Sequence, residues 1–279
     1  QKQKYIPKLA SGEMLGAFGL TEPNAGSDAG ATETTAIKNN DGYLVNGQKA
    51  FCTNAGYAGI IIFTAVLIED GEQNGIGAFL VEAGTEGLSF GPPEKKMGWR
   101  GSDTRTVYFN ELQIPAENVL GIPAKGFKQF LRTLTGGRIT IGALSIGTAQ
   151  GAYDLALKYS QEREAFGKPI NKFQSISFKL ADMATRIEAS KHLVYHAAWR
   201  KDNNLPVIKQ AAMAKLFSSE TAMWVTGEAI QVYGGYGYIK EYDVERFFRD
   251  SKILEIGEGT SEIQRIIISR EILKSADQI

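Results

Sequence analysis

The sequence predicts an α+β chain of two domains: an antiparallel β-barrel or sandwich over residues 1–122, then a four-helix bundle over residues 123–279. Three observations point this way. The 279 residues exceed the usual size of a single domain. Short apolar runs separated by hairpin-type dipeptides fill the first part. Near Leu120 to Lys125 that pattern gives way to apolar residues at helical spacing.

In chain order, Asp41-Gly42 and Asn46-Gly47 read as hairpin turns bracketing Tyr43-Leu44-Val45, and Asp70-Gly71 follows the apolar run Ile60 to Ile68. Ile76 to Val81 and Thr106 to Ile114 add strands, and the set closes most simply as a small barrel or sandwich. After Lys125, Phe127 to Arg163 reads as one helix. Ile176, Leu180, Met183, Ile187 and Val194 mark the apolar face of a second. Pro206 opens a third through Ala211, Leu216 and Ala222 to Ile230, and Ile263 to Leu273 makes a fourth. A bundle is the economical way to bury four such faces. Gly142, Gly147 and Gly151 weaken a helix interior, so close helix approach is expected there.

Composition narrows the function classes. With 31 basic and 31 acidic residues the formal charge is zero, which disfavours nucleic acid and anionic membrane as partners. A single cysteine, Cys52, excludes an internal disulfide framework and agrees with a reducing compartment. His192 and His196 have i, i+4 spacing without a third ligand, so a helix-surface pair is expected rather than a metal site. No apolar run reaches membrane-span length, and Gln1-Lys2-Gln3-Lys4 is no signal peptide; a bacterial cytoplasm or a mitochondrial matrix is the expected location.

Chemistry concentrates in a few stretches. In Ile256 to Arg265 a carboxylate, Glu258, sits between two glycines just before an amphipathic run, and Ser261 with Gln264 fits a capping box. A short irregular turn there suits a catalytic base, and a plain solvated helix start explains the same residues equally well. Glu255 and Glu262 lie close by, so spacing does not choose among the three acids; Glu255 reads as part of a strand-like segment or a surface charge, and Glu262 is favoured by the helix dipole. Thr21 to Asp28 is a polar loop whose hydroxyls and free N–H groups suit a pyrophosphate or a ring carbonyl, or simply solvent. Phe51 and Thr53 alternate onto one face of a strand. Arg163 and Phe166-Gly167, with Gln174 nearby, make a phosphate and adenine contact set. Gln231 to Tyr236 ends a helix with a glycine pair that could be merely a C-cap.

Together these stretches resemble the acyl-CoA dehydrogenase family: Thr21-Glu22-Pro23-Asn24-Ala25-Gly26-Ser27-Asp28, Arg163-Glu164-Ala165-Phe166-Gly167, Gln231 to Gly235 and Glu258-Gly259-Thr260 occur in family order along nearly the whole chain. The resemblance implies a middle β-barrel followed by a four-helix bundle. Relatives usually begin with a further helical domain of about a hundred residues, of which the first residues here would be a remnant. The implied reaction is FAD-dependent α,β-dehydrogenation of an acyl-CoA thioester to the 2-enoyl-CoA. Glu258 takes the α-proton while the β-hydrogen leaves as hydride to the flavin, and electrons pass to an electron-transfer flavoprotein. An acyl-CoA oxidase and an inactive, truncated oligomeric module are the alternatives.

Residue by residue, Phe18, Leu20, Thr21 and Ser27 match the flavin-contacting loop, with Ser27 also near substrate. Phe51 matches the aromatic beside the isoalloxazine, and Thr53 the hydroxyl near flavin N5. Arg163, Phe166, Gln174, Gln231, Gly234 and Gly235 match positions holding the FAD of a neighbouring subunit, and Thr260 and Glu262 match contacts to the subunit's own FAD. This implies a homo-oligomer, a dimer of dimers in most relatives. Arg138 and Gly259 match substrate contacts, although Thr135 stands where many relatives carry Asp. In long-chain members the base precedes the residue matching Arg138; Gly137 cannot serve, which leaves Glu258.

Overall fold

The computed structural model describes residues 1–276. Its residues fall into two compact units, Gln1–Lys96 with Arg100–Arg132, and Met97–Trp99 with the chain from Thr133 on.

The first unit carries a short helix, α1 (Lys2–Ser11), and seven strands: β1 (Leu15–Gly19), β2 (Thr35–Asn39), β3 (Gly42–Thr53), β4 (Ala58–Glu69), β5 (Glu72–Glu82), β6 (Leu88–Phe90) and β7 (Thr104–Ile114). They form one sheet in the order β1-β4-β2-β3-β7-β6, with β5 against β4. β4 organises it: Phe63, Ala65 and Leu67 are fully buried, as an apolar run in a covered strand should be. The Phe63 ring stacks on Phe109 at 4.2 Å and lies 5.6 Å from Phe79, and each such ring removed from water contributes roughly 1.5–3 kcal/mol. Cys52 packs in the same core, where burial pushes its thiol up to about 12.

Two details differ from the sequence reading. Most ladders are antiparallel, but β1 and β2 run parallel to β4. The stretch 20–34 between β1 and β2 is long enough to return the chain in the same direction, which a tight hairpin cannot do. Asn46-Gly47 is not a turn but a bulge within β3, where the ladder to β7 shifts between Val45 and Gly47. Gly47 has φ +142°, and a Cβ there would stand 2.7 Å from Thr34 Cα, so the dipeptide answers a close backbone approach. Asp70-Gly71 behaves as expected, with φ of 53° and 83° in the two-residue turn joining β4 to β5.

The second unit is built from most of α2 (Gly126–Glu162), then α3 (Gln174–Asp202), α4 (Ile208–Tyr233), α5 (Val244–Ile256) and α6 (Ser261–Ala276). Leu180, Met183, Ile187 and Val194 are buried on α3, the face that periodicity marked. α4 is buried nearly all round, mainly by Ala, Ser, Thr and Val, so its neighbours approach closely. Gly142 and Gly151 on α2 serve that packing: a Cβ would lie 2.8 Å from Val194 Cγ2 and 2.9 Å from Phe247 Cε1. Gly147 faces open space. α5 is an element the sequence reading missed, and Glu255 therefore lies on a helix rather than in a strand-like segment. Only Val244, Ser251 and Leu254 of α5 are buried, too thin a stripe for periodicity to register. His192 is exposed beside Glu188, and His196 lies near Trp199.

Candidate active site

The turn between α5 and α6 holds Glu258 in an unusual backbone. Glu258 has φ +56° and Gly259 φ +90°, two consecutive left-handed residues. For a non-glycine residue that conformation costs about 1 kcal/mol or more and persists only where the surroundings enforce it. Two fully buried side chains do so here. Gln264 Nε2 donates to the carbonyls of Glu258 (3.2 Å) and Gly259 (2.8 Å), and Lys215 Nζ, from α4, donates to the Gly259 carbonyl at 2.9 Å. The cap differs from the expected Ser261–Gln264 box. Thr260 Oγ1 accepts the Ile263 N–H at 3.3 Å, while Ser261 Oγ is buried without a partner among the described residues. Gln264 bonds the turn's carbonyls in place of the capping residue's N–H.

Geometry separates the three acids that spacing left open. Glu255 pairs with Lys252 at 2.6 Å. Glu262 is exposed, and its own backbone N–H and the Thr260 hydroxyl hold its carboxyl below the usual range. Glu258 is half-buried, and its carboxylate has no hydrogen bond or ion pair among the described residues. Burial raises its pKa, opposed by the charges of Arg138 and Lys215. The carboxylate rests against Gly137 of α2: a Cβ there would overlap Glu258 Oε2 and come within 3.0 Å of Cδ. Arg138 is only 7 % exposed, donates through Nη1 to Thr135 Oγ1 at 3.5 Å, and its buried Nε has no partner among the described residues. An ionisable acid, poised upward and free of partners, is what a general base requires.

Lys215 was absent from the sequence reading. It is 0 % exposed, and burial lowers its pKa to about 8 against the opposing pull of Glu255, Glu258 and Glu262. A lysine four residues after Ala211 and seven before Ala222, both on the buried face, was the available signal.

In the first unit, the loop after β1 is fixed by a second missed pair. Glu22 and Lys49 meet at 2.6 Å, both essentially unexposed. Lys49 also donates to the Leu20 carbonyl and Thr64 Oγ1, while Glu22 accepts the N–H groups of Glu33 and Thr34. Burial works to raise the Glu22 pKa, yet these donors hold it below the carboxylate range. Thr21 is tied to β3 through the Ala50 N–H at 2.8 Å. Phe18 stacks on Phe130 at 4.4 Å, and Ser27 is exposed. Phe51, 67 % exposed with φ +56°, sits where the β3–β7 ladder shifts between Lys49 and Cys52, so simple alternation does not set it on one face with exposed Thr53; Cys52 between them is buried.

A third group lies in the second unit, around a hollow of about 440 Å³ lined by Tyr159, Arg163, Tyr233, Gly234, Gly235 and Tyr236 among others. The Arg163 guanidinium lies over the Tyr236 ring at 5.6 Å, and Tyr159 stacks on Tyr233 at 4.0 Å. Gly234, the C-cap of α4 with φ +60°, and Gly235 both face open space. Phe166, 95 % exposed, and Gly167 form the turn of a short hairpin just before Gln174. Gln174 and Gln231 are exposed.

A mixed-sheet unit is joined to a helical unit that carries a half-buried acid of raised pKa on a pinned turn. The chain belongs to the acyl-CoA dehydrogenase family: residues 17–112 match its middle domain and residues 124–273 its C-terminal domain. A probable acyl-CoA dehydrogenase, YngJ, of Bacillus subtilis is 55% identical over 98% of this chain and 72% of its own length. The solved structure of butyryl-CoA dehydrogenase from Megasphaera elsdenii superposes with a TM-score of 0.94 at 49% identity, covering 98% of this chain and 71% of that one. A chain in the structure of the electron transferring flavoprotein of Acidaminococcus fermentans gives a TM-score of 0.94 at 48% identity, covering 98% of this chain and 72% of that one.

Proposed function

We propose that this chain carries out FAD-dependent α,β-dehydrogenation of acyl-CoA thioesters, with Glu258 as the base and an electron-transfer flavoprotein as the electron acceptor. The observation that carries the proposal is the Glu258 carboxylate: half-buried, raised in pKa, free of partners among the described residues, and mounted on an enforced turn. The names of the relatives supply the chemistry such a base would serve, since butyryl-CoA dehydrogenase and the electron transferring flavoprotein structure both match at near half identity.

The α-hydrogen of a thioester is a weak acid, so the base must be poised and the carbonyl oxygen must receive hydrogen bonds as negative charge builds. The Glu258 backbone N–H, accepted by no carbonyl among the described residues, is available as one donor. Exclusion of water by the acyl chain would raise the carboxylate's basicity further. The buried Arg138 Nε, without a partner among the described residues, supports Arg138 as a contact to the polar part of the substrate, with Gly259 as the second contact proposed.

The residues present fit FAD. Exposed Phe51 offers an aromatic face and exposed Thr53 a hydroxyl to a planar ring, with Phe18 at the end of β1 and Leu20, Thr21 and Ser27 on the loop that Glu22 and Lys49 fix. Arg163 and the open Gly234-Gly235 pair offer a cation and unobstructed backbone to the pyrophosphate of a neighbouring subunit's FAD, with Phe166, Gln174 and Gln231 at hand for its adenosine end. Thr260 and Glu262 are the contacts expected from the α6 start. Bound FAD would supply the hydride acceptor.

Anaerobic titration with acyl-CoAs of graded length tests the proposal. Short or medium chains are expected to bleach the flavin band, with turnover to an electron-transfer flavoprotein. An enzyme that keeps FAD but is bleached by no acyl-CoA would refute it, and hydrogen peroxide formation under air in place of flavoprotein reduction would redirect it to an acyl-CoA oxidase.

A further inference from the structure

Lys215 has no place in the chemistry described so far, yet it is the most deeply buried cation in reach of the base. Its ammonium is fully enclosed, donates to the Gly259 carbonyl at 2.9 Å, and forms no other hydrogen bond and no ion pair within 4 Å among the described residues. Lysine seldom occupies such a position unless paired, because an ammonium is strongly hydrated. Three carboxyl groups surround it electrostatically: Glu255 from α5, Glu258 from the turn and Glu262 from α6. Arg138 on α2 is the opposing cation. Of the three acids, Glu255 pulls most on Lys215 but already has Lys252, and Glu262 faces solvent, which leaves Glu258 to share Lys215 and Arg138. The same ammonium holds the carbonyl next to it, so one side chain both shapes the turn and supplies charge behind it.

We infer that Lys215 is the positioning residue of the Glu258 turn: it fixes the Gly259 carbonyl and sets a buried positive charge behind the acid, alongside Arg138. The inference rests on Glu258 being the base proposed above. Desolvation alone would drive this carboxyl towards its neutral form, in which it cannot accept a proton. Arg138 on α2 offsets the larger part of that, and Lys215, hydrogen-bonded to the next carbonyl of the turn, offsets a further part.

The test uses the FAD-loaded full chain with Lys215→Gln, which keeps a donor but not the charge, Lys215→Arg, which keeps the charge, and Lys215→Met, which keeps neither. The pH dependence of flavin reduction by butyryl-CoA is followed, together with the carboxyl ¹³C shift of Glu258, assigned by its loss in Glu258→Gln. In Lys215→Gln the midpoint of the rising limb and of the ¹³C titration is expected to move up by about half a unit or more, with FAD retained. Lys215→Arg is expected to restore the midpoint towards wild type, and Lys215→Met to combine the shift with a further rate loss. Unmoved midpoints in Lys215→Gln would overturn the inference, even if the rate falls, because a merely structural lysine changes amplitude without changing the titration. Should Lys215→Met fail to fold, the Gln and Arg variants still decide. If Glu258→Gln itself bleaches like wild type, it is the assignment of the base that fails instead.

Discussion

Replacing Gly137 with alanine separates the stability of helix α2 from the placement of the base. In a helix interior, glycine to alanine gains roughly 0.5–1 kcal/mol, which for a unit of this size raises Tm by about 1–4 °C. The new Cβ, however, overlaps Glu258 Oε2. Only the far end of the Glu258 side chain can yield, since Lys215 and Gln264 pin its backbone. Restoring ordinary contact needs the carboxylate to move by about 1 Å, and a misplacement of that size costs on the order of 10²-fold in rate, about 2.7 kcal/mol of transition-state stabilisation. Stopped-flow flavin reduction with butyryl-CoA and a thermal melt make the assay. Slow reduction in a protein as stable as wild type, or more so, is the expected pair of results. A wild-type reduction rate in a folded, FAD-loaded Gly137→Ala would refute the placement of Glu258 against α2.

Other perturbations bear on separate parts of the structure. Lys49→Met leaves Glu22 buried without its cation and is expected to cost roughly 3–5 kcal/mol in denaturant unfolding, with part recovered in the double variant with Glu22→Gln. For Lys215 the folded pKa of about 8 lies below its ordinary 10.5, so between these values the unfolded chain binds the extra proton. This group therefore makes wild-type stability rise with pH from about 8 to 10.5, and the Tm of wild type minus that of Lys215→Met should increase across that window. For Glu258 the folded pKa is raised, so its ionisation costs stability once pH climbs above its ordinary 4.5. Glu258→Gln is accordingly expected to melt higher than wild type near neutral pH, the gain disappearing in acid below that value.

What the sequence revealed depended on how local the cause was. Asp70-Gly71 was legible because a two-residue hairpin needs left-handed torsions that these residues accept. Asn46-Gly47 has the same signature but serves a bulge, since the approach of Thr34 comes from another part of the sheet. The apolar face of α3 was written in its spacing, whereas α5 buries too few residues to show. Glu258 stood out through its flanking glycines, yet choosing it over Glu255 and Glu262 on physical grounds required their partners: Lys252 for one, solvent and a cap for the other. Lys215 and the Glu22–Lys49 pair stayed hidden because a buried charge is recognised by what surrounds it, and those neighbours lie 11 or more residues away in the chain.

The most direct measurement is an anaerobic butyryl-CoA titration of wild type beside Glu258→Gln, both loaded with FAD and matched in flavin content. Wild type should lose its flavin band stoichiometrically, while the variant should hold substrate with the band intact, its reduction slowed by about 10²- to 10⁴-fold. Bleaching of Glu258→Gln at the wild-type rate would contradict the account, because the proton would then be leaving to some other group.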